Sequence, residues 1–588
     1  MRVAIPGGAA LRNYQGCSIL RGMRTDSFAP FLAALLLLTA PQAAAATHSR
    51  HDAAQHVPSD AELERSGALV GQIEIQNKNI FDLENPKDNH WLFRLADRLH
   101  PVTRLSTIRE QLLFHTGERY SHHLLEESAR ILRANPYFYD ASIQPVAYHD
   151  GNVDILVITH DVWTLNPGFN FSRSGGKSQT GVQIEEVNTL GTGTEIKLQH
   201  TNSVDRSESD IMVSNPHTFG TWFKTAFAYG SMSDGKTYQF ILDRPFYSLE
   251  TRRAGGISIN DTTQDDFLYD RGQQIDRFAD HGRFYQVYGG FSHGLVGDWT
   301  RRYSAGLAYD EHTFARSTLW SGPTVLPADR RFVYPWLRFD LVQDEFVKLR
   351  NHNQIGRTED FDLGAYATVQ IGWAGKALGS TRGAANFMLA TGTGYELRRG
   401  NTLLVSSVYT GRIESGTLEN GVLNSAVRFY DEQSDYWPFR EGNWLFFTTL
   451  AGSVGKRLDL ENQILLGGDN GLRGYPLRYQ DGTSRALLSL EERYFSDWYP
   501  FRLFRVGAAV FFDMGRTWGT PNLATASPIT PALAMPGLGL LKDAGFGLRF
   551  GNARTGLGNV IHVDLAFPFD GDPSIKRVQF LVQTEQEF

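Results

Sequence analysis

From Trp163 to the C-terminus, more than 400 residues follow a two-residue hydrophobic period in short segments separated by turn residues. The pattern is clearest in residues 543–551 and 560–569, where one face of each predicted strand is apolar: Ala544, Phe546, Leu548, Phe550, Ile561, Val563, Leu565 and Phe567. Strands of about ten residues with one apolar and one polar face are typical of transmembrane β-barrels. A closed barrel is also the one sheet that leaves no unpaired edge in lipid. We therefore expect a mainly β protein with a transmembrane antiparallel barrel over residues 162–588.

The number of strands follows from the same pattern. Residues 162–588 contain 16 to 19 candidate strands, some of which we interpret as hairpins outside the membrane. About 16 strands would leave roughly 27 residues for each strand and its connection, which is ample for a barrel strand. A soluble β-sandwich or propeller explains the alternation, but it explains neither the export signal described below nor the terminal Phe588.

Composition excludes several other classes of protein. The chain has 588 residues, a formal charge of −7 and one cysteine, Cys17, and its mean hydropathy is −0.31. The acidic balance argues against a nucleic-acid binder. The single cysteine excludes a disulfide scaffold and a cysteine-based zinc site. The low mean hydropathy excludes a protein with many membrane-spanning helices, but it is compatible with two-faced barrel strands.

The N-terminus is predicted to be an export signal. Arg21 and Arg24 precede an apolar run over residues 28–38, and alanines at 43–46 provide a cleavage site. A membrane anchor is the alternative, but the apolar run has about 11 residues and spanning needs about 20. We assign residues 1–46 to a signal peptide, with Met23 as an alternative start, and residues 47–66 to a linker. Cleavage would remove Cys17.

A small α+β domain is predicted over residues 67–161. The order is strand, helix, helix, strand, strand, with Asp150 and Gly151 in the turn of the final hairpin. Residues 85–100 form an insertion that we interpret as irregular, with an apolar group at Trp91, Leu92, Phe93 and Leu95. The element order and the phrase LRANPYF at residues 132–138 resemble a POTRA (polypeptide-transport-associated) domain. The resemblance implies an exposed sheet edge that receives a client strand; a spacer without such a role is the alternative.

Three motifs follow one another in the last quarter of the chain. They are LGGDNGLRGY at residues 466–475, SLEER at 489–493 and FFDMG at 511–515. Together with the POTRA-like region they resemble the outer-membrane assembly and translocation superfamily. That superfamily includes the BamA and TamA insertases, the bacterial surface antigen family and the two-partner-secretion transporters.

The resemblance implies a structural role for one loop. In the superfamily the loop arginine, here Arg473 followed by Gly474 and Tyr475, folds into the barrel lumen and pairs with acidic residues on the next two strands. Those residues correspond to Glu491 and Asp513, and the local alternation independently points both side chains inward. The planar guanidinium can engage two carboxylates and stays charged when partly dehydrated. Three ordinary, solvated lumen charges are the alternative.

The last strand has the features of a targeting signal. Val578, Phe580, Val582 and the terminal Phe588 lie on one predicted face, and an aromatic C-terminus resembles the targeting signal of outer-membrane barrels. The first strand, at about residues 166–173, would meet this last strand at a seam. Pro167 and nearby glycines predict that the first strand is short and weakly paired.

The resemblance implies a protein of the Gram-negative outer membrane that inserts or translocates other proteins. Its partners would be outer-membrane lipids, unfolded client proteins and periplasmic accessory proteins. The alternatives are a pore dedicated to one exported protein, which usually carries two POTRA domains and a plug helix, and a structural barrel. No catalytic, metal or cofactor site is predicted: GFSHG at residues 290–294 and GSVGK at 452–456 lack the contexts that a nucleophile elbow or a phosphate loop needs.

Overall fold

The computed structural model describes residues 57–81, 83–86, 89–398, 400–433, 443–519, 538–552, 554–555 and 560–585. The predicted signal peptide and Phe588 lie outside the described residues. The described residues form a small N-terminal domain followed by a closed β-barrel. No helix among the described residues is long and apolar enough to cross a membrane.

The N-terminal domain, residues 57–161, has a three-stranded sheet in the order β1–β3–β2, with β1 parallel to β3. Its elements are α1 (Asp60–Ser66), β1 (Leu69–Lys78), α2 (Trp91–Leu99), α3 (Leu105–Arg109), α4 (His122–Arg133), β2 (Phe138–His149) and β3 (Asn152–Asp161). The expected order appears, with two additional helices. Helix α1 lies in the segment that we predicted to be a linker. It belongs to the domain, because Leu63 is fully buried in the domain core. Helix α2 lies in the segment that we expected to be irregular.

The barrel wall consists of twenty antiparallel strands that close where the last strand meets the first. In chain order they are β4 (Leu165–Ser174), β5 (Lys177–Thr189), β6 (Thr194–Asn202), β7 (Ser207–Asn215), β8 (Lys224–Met232), β9 (Gly235–Arg244), β10 (Arg253–Asp270), β11 (Gln273–Val296), β12 (Trp299–Arg316), β13 (Arg330–Gln343), β16 (Tyr366–Ala374), β17 (Ala384–Arg398), β18 (Asn401–Glu414), β19 (Thr417–Glu432), β20 (Trp444–Lys456), β23 (Ser484–Phe495), β24 (Phe504–Trp518), β25 (Leu541–Asn552), β26 (Val560–Pro568) and β27 (Gln579–Glu585). Two short ladders lie in connections: β14 (Phe346–Arg350) with β15 (Thr358–Asp362), and β21 (Ile464–Leu466) with β22 (Gln480–Gly482).

The closed antiparallel barrel is confirmed, but the prediction of about 16 strands is wrong. Many connections are very short: two residues join β8 to β9, and two residues join β18 to β19. Each strand and its connection therefore use fewer residues than we allowed. Hairpins that we set aside as lying outside the membrane are part of the wall.

The two faces of the wall differ as the alternation predicts. On β13 the outward Leu337 is exposed, whereas the neighbouring Arg338 and Asp340 point inward and are buried. On β24 the outward Val510 is exposed and Asp513 is fully buried. The outer surface is therefore apolar and the lumen is lined with polar and charged side chains, as a barrel in lipid requires.

The barrel end that contacts the N-terminal domain is called the near end, and the opposite end the far end. Residues 346–362, the near-end hairpin, connect β13 to β16 and fold into the lumen. Ile355 and Phe361 of this hairpin pack with lumen residues of six wall strands: Leu404, Tyr430, Leu445, Phe447, Phe495, Ala509 and Val560. The carboxylate of Glu359 accepts backbone hydrogen bonds from residues 352–354, which fixes the hairpin tip. The near-end hairpin thus fills part of the lumen.

Helix α4 of the N-terminal domain holds this hairpin from outside. The Arg133 guanidinium donates to both carboxylate oxygens of Asp360 at 2.8 and 2.6 Å. The guanidinium of Arg130 lies 3.7 Å above the ring centre of Phe346. Arg357 in turn donates to the Phe138 carbonyl at the start of β2 at 2.8 Å. The N-terminal domain is therefore docked directly on the near-end hairpin.

Candidate functional site

Residues 457–483, the lumenal loop, connect β20 to β23 at the far end and fold back into the barrel. The β21–β22 ladder closes the base of the loop. Its apolar side chains pack together against β25 in a buried cluster: Leu466, Leu472, Tyr475, Tyr479 and Leu541. This packing places the loop tip against the inner wall.

Arg473 lies at the loop tip and is largely buried, and its guanidinium engages two carboxylates. Its Nε and Nη2 donate to the two oxygens of Asp513, both at 2.7 Å, and Nη1 donates to Glu491 at 2.6 Å. Nη2 also donates to the Ser489 hydroxyl at 3.1 Å. The guanidinium carbon lies 3.5 Å above the ring centre of Phe511. The structure thus brings together Arg473, Glu491 and Asp513.

The two residues that follow Arg473 fit closely against the last strands. A side chain at Gly474 would place its Cβ 2.6 Å from the Cβ of Asp543 and 3.1 Å from the Pro568 nitrogen, so this close approach requires glycine. Tyr475 is fully buried, and its hydroxyl donates to the Lys542 carbonyl at 2.7 Å. Both residues fix the loop to β25 and its neighbour β26.

Glu491 also connects the lumenal loop to the near-end hairpin. Its second oxygen accepts from Arg493 Nε at 2.8 Å, and Arg493 Nη1 donates to the His352 carbonyl at the hairpin tip at 3.1 Å. The Arg493 guanidinium lies 3.8 Å above the Phe447 ring centre. A continuous series of polar contacts therefore runs from the lumenal loop through Glu491 to the near-end hairpin.

The lumenal loop also contacts the first strands of the barrel, which we did not predict from the sequence. The Ser174 hydroxyl at the end of β4 donates a hydrogen bond to the Gly468 carbonyl. Gly175 has a φ of +53°, and a Cβ there would lie 2.3 Å from the Leu477 nitrogen. The loop therefore touches the β4–β5 turn and the β23–β26 wall at the same time.

A second arginine of the lumenal loop strengthens this contact. Both Nη atoms of Arg478 donate to the Asp205 carboxylate, at 2.7 and 2.5 Å, in the turn between β6 and β7. The Tyr269 hydroxyl donates to the same carboxylate at 2.7 Å, and the Arg478 guanidinium lies 4.3 Å above the Tyr269 ring centre. The distance between residues 205 and 478 in the chain explains why no local motif signals this pair.

The seam between β27 and β4 has one paired position in the part of the chain that the structure describes. Among the described residues these strands pair at one position, Val582 with Arg173, whereas β26 and β27 pair at seven and β4 and β5 at ten. Our prediction that the first strand is short is therefore wrong. Strand β4 has ten residues, and Pro167 is accommodated in its full ladder with β5. Toward β27, the described pairing of β4 is limited to one position. Val578 and Phe580 are exposed on the outer surface.

The other sequence motifs show no site geometry. Residues 290–294 lie within β11 and not at a strand–helix turn. Among the described residues, no group of three or more His, Cys, Asp or Glu side chains could hold a metal ion. His122 and His123 lie beside different carboxylates, those of Asp60 and Asp344.

The chain is similar in structure to several solved outer-membrane proteins, although no protein-family model and no curated protein sequence matches it. BamA from Haemophilus ducreyi, lacking POTRA domains 1–3, is 14% identical with a TM-score of 0.39, over 87% of this chain and 85% of that one. CdiB from Acinetobacter baumannii is 12% identical with a TM-score of 0.44, over 88% and 74%. CdiB from Escherichia coli is 13% identical with a TM-score of 0.40, over 88% and 76%.

Proposed function

We propose that this protein is an assembly or translocation factor of the Gram-negative outer membrane that handles unfolded client proteins at the β27–β4 seam. The observation that carries the proposal is the seam itself: two barrel strands are neighbours in the wall but pair at one described position. An unpaired strand edge is a template for another strand. A client strand could therefore add to β4 or β27 when the two separate.

The lumenal loop is well placed to control that separation. Through Arg473 it is anchored to β23 and β24, and through Ser174 and Asp205 it contacts turns on the other side of the seam. The loop contacts strands and turns on both sides of the seam but adds no backbone pairing between β27 and β4. We therefore assign it the role of a structural latch, with no part in catalysis. Arg473, Gly474, Tyr475, Glu491 and Asp513 form this latch.

The contents of the lumen favour insertion through the seam over secretion through an open pore. The near-end hairpin fills part of the near end, and the lumenal loop enters from the far end. A polar cavity in the lumen, lined by residues such as Asp280, His312 and Arg412, has a volume of about 110 Å³. That volume holds several water molecules. A dedicated secretion pore would require the hairpin to leave.

The N-terminal domain is proposed to be a POTRA-like domain in the periplasm. Its elements include the expected strand, helix, helix, strand, strand order, with two additional helices, and its sheet is mixed; both features support this assignment, and β1 and β2 are edge strands. Such edges can receive extended client segments or accessory proteins. The C-terminal segment, with Val578, Phe580, Val582 and Phe588, is proposed to carry the protein's own targeting signal.

A pair of disulfide variants tests the seam. Arg173→Cys with Val582→Cys should lock the seam, and Val563→Cys with Val582→Cys locks two strands that are already fully paired. Both are made with Cys17→Ser, so that only the engineered pair can oxidise. Insertion of unfolded outer-membrane proteins into vesicles that contain each variant is measured by protease protection.

Oxidation should abolish insertion by the seam-locked variant, and reduction should restore it. The control should insert clients equally well in both states. If the oxidised seam-locked variant inserts clients as fast as its reduced form, the seam is not the client site.

A further inference from the structure

Helix α2 has an apolar face that the protein leaves uncovered. At about 100° per residue, Trp91, Leu92, Leu95 and Leu99 fall within one quarter to one third of the helix circumference. All four are exposed, Trp91 by 66% and Leu99 by 65%. None of the nine residues of the helix is buried. The helix is therefore amphipathic, with its apolar side turned away from the domain.

The opposite side of α2 fixes its orientation. The Phe93 ring stacks on Phe81 with a distance of 4.1 Å between ring centres, and the Phe81 backbone N–H donates to the Asp97 carboxylate at 3.3 Å. A nine-residue helix is marginal in water by itself. Its exposed apolar face therefore calls for a covering surface.

Helix α2 lies at the near end of the seam strands. The chain that follows it is bonded to the β5–β6 turn, because Arg104 donates through Nε to the Leu190 carbonyl and through its backbone N–H to the Gly191 carbonyl, both at 3.0 Å. The chain that precedes it is held from the β25–β26 connection, where Arg554 donates to the Ile80 carbonyl at 2.8 Å. The helix is thus placed between connections on both sides of the seam.

The near-end turns carry an exposed apolar rim at the same end of the barrel. Leu190, Phe219 and Phe501 have φ values of +54°, +56° and +54°. Phe219 is 98% and Phe501 is 82% exposed, and Trp498 is also exposed. Bulky residues rarely adopt this left-handed conformation. Aromatic and apolar side chains at the end of the lipid-facing surface are typical of a membrane–water boundary.

Basic side chains flank the apolar face of α2. Arg94 and Arg98 are both exposed at one edge of the apolar arc. Long basic side chains beside an apolar face can reach anionic phospholipid headgroups while the face enters the acyl boundary. The chemistry of this surface matches a phospholipid leaflet.

We propose that α2 lies in the phospholipid surface of the periplasmic leaflet, beside the seam, and ties the N-terminal domain to the membrane there. The proposal rests on the membrane placement of the barrel in the proposed function, and it does not depend on client handling. It adds a lipid contact that is separate from the barrel's outer surface.

Labelling of the full chain in vesicles tests this contact. An environment-sensitive fluorophore is attached to Leu95→Cys, with His149→Cys as the control, each combined with Cys17→Ser. His149 ends β2, a strand about 36 Å long that begins at the barrel contact. The vesicles contain phosphatidylethanolamine and phosphatidylglycerol, with or without a nitroxide near the top of the acyl chains. Leu99→Cys is the second probe if the first variant fails to fold.

The label at position 95 should emit at a shorter wavelength than the label at 149, and nitroxide lipid should quench it at least about two-fold more. Equal access of aqueous iodide to both labels, with no lipid quenching, would overturn the proposal. If the label at position 95 reports apolar surroundings only when unfolded polypeptide is added, the proposal would also be overturned. The apolar face would then be assigned to a protein partner. Neither result depends on client insertion, so the seam and helix proposals fail separately.

Discussion

Replacement of Arg473 by alanine is the sharpest perturbation of the latch. It removes three hydrogen bonds to the carboxylates of Asp513 and Glu491 and the contact with the Phe511 ring. Glu491 keeps Arg493 as a cationic partner, whereas Asp513 keeps the neutral hydroxyl of Ser489 at 2.7 Å. The main cost is therefore a buried carboxylate without its cation.

The size of that cost can be bounded. Removing one partner of a buried ion pair typically costs about 3–5 kcal/mol, because the other charge stays buried. The stacked ring adds about 1–2 kcal/mol, which overlaps with the first figure and is not simply added. With a urea dependence of about 3 kcal/mol per molar, the unfolding midpoint should fall by on the order of 1 M or more. Arg473→Lys keeps the charge but loses the planar fork, so it should fall between the wild type and alanine.

Arg457→Ala is the matched control in the same loop. Arg457 is more than half exposed and lies 3.2 Å from Glu419, so its loss should cost about 0.2–1 kcal/mol. Each variant is refolded in vesicles, and the folded fraction is followed across urea by the heat-dependent shift in gel mobility. The same preparations are tested for client insertion.

If Arg473→Ala unfolds at the same urea concentration as Arg457→Ala and inserts clients normally, the three charged groups are ordinary lumen residues. A loss of insertion at unchanged stability would instead place the role of Arg473 in seam opening.

Three further predictions concern other contacts. Gly474→Ala should lower stability by about 1–3 kcal/mol, measured by the same urea assay, because the added methyl group would lie 2.6 Å from a neighbouring side chain. Asp360→Asn should weaken the pair with Arg133, free the near-end hairpin and raise ion conductance across a planar bilayer; unchanged conductance would contradict a plugging role. The pKa of His123 is raised, chiefly by its hydrogen bond to Asp344, so this contact stabilises the docked domain below pH 6.5 and is lost as the pH rises through the raised value. Proteolytic release of the domain should therefore be faster at pH 8 than at pH 6. The corresponding loss of docking free energy should be less than about 1 kcal/mol, and His123→Gln should remove the difference in rate.

The part of the fold that depends on local pattern could be predicted from the sequence. Alternation along β23 and β24 is enough to point Glu491 and Asp513 into the lumen, because side chains in a strand change face at every residue. The number of strands in the closed wall could not be predicted in this way. Whether a hairpin joins the barrel depends on its partners across the sheet, and a short connection looks the same inside and outside the membrane.

Long-range contacts set the other limit. The Arg478–Asp205 pair and the insertion of Ile355 among wall residues join segments far apart in the chain, with no shared motif. The apolar group around Trp91 was visible, but a short apolar run does not by itself distinguish an irregular segment from a helix. The structure resolves it as α2 because Phe93 and Asp97 both contact Phe81.

Depletion of the protein followed by quantitative proteomics of the outer membrane tests the central claim most directly. If the protein inserts client barrels at its seam, the abundance of several outer-membrane β-barrel proteins should fall together, before growth slows and without a fall in their transcripts. Loss of one exported protein alone would identify a dedicated secretion pore. An unchanged outer-membrane proteome would contradict the account and leave a structural barrel.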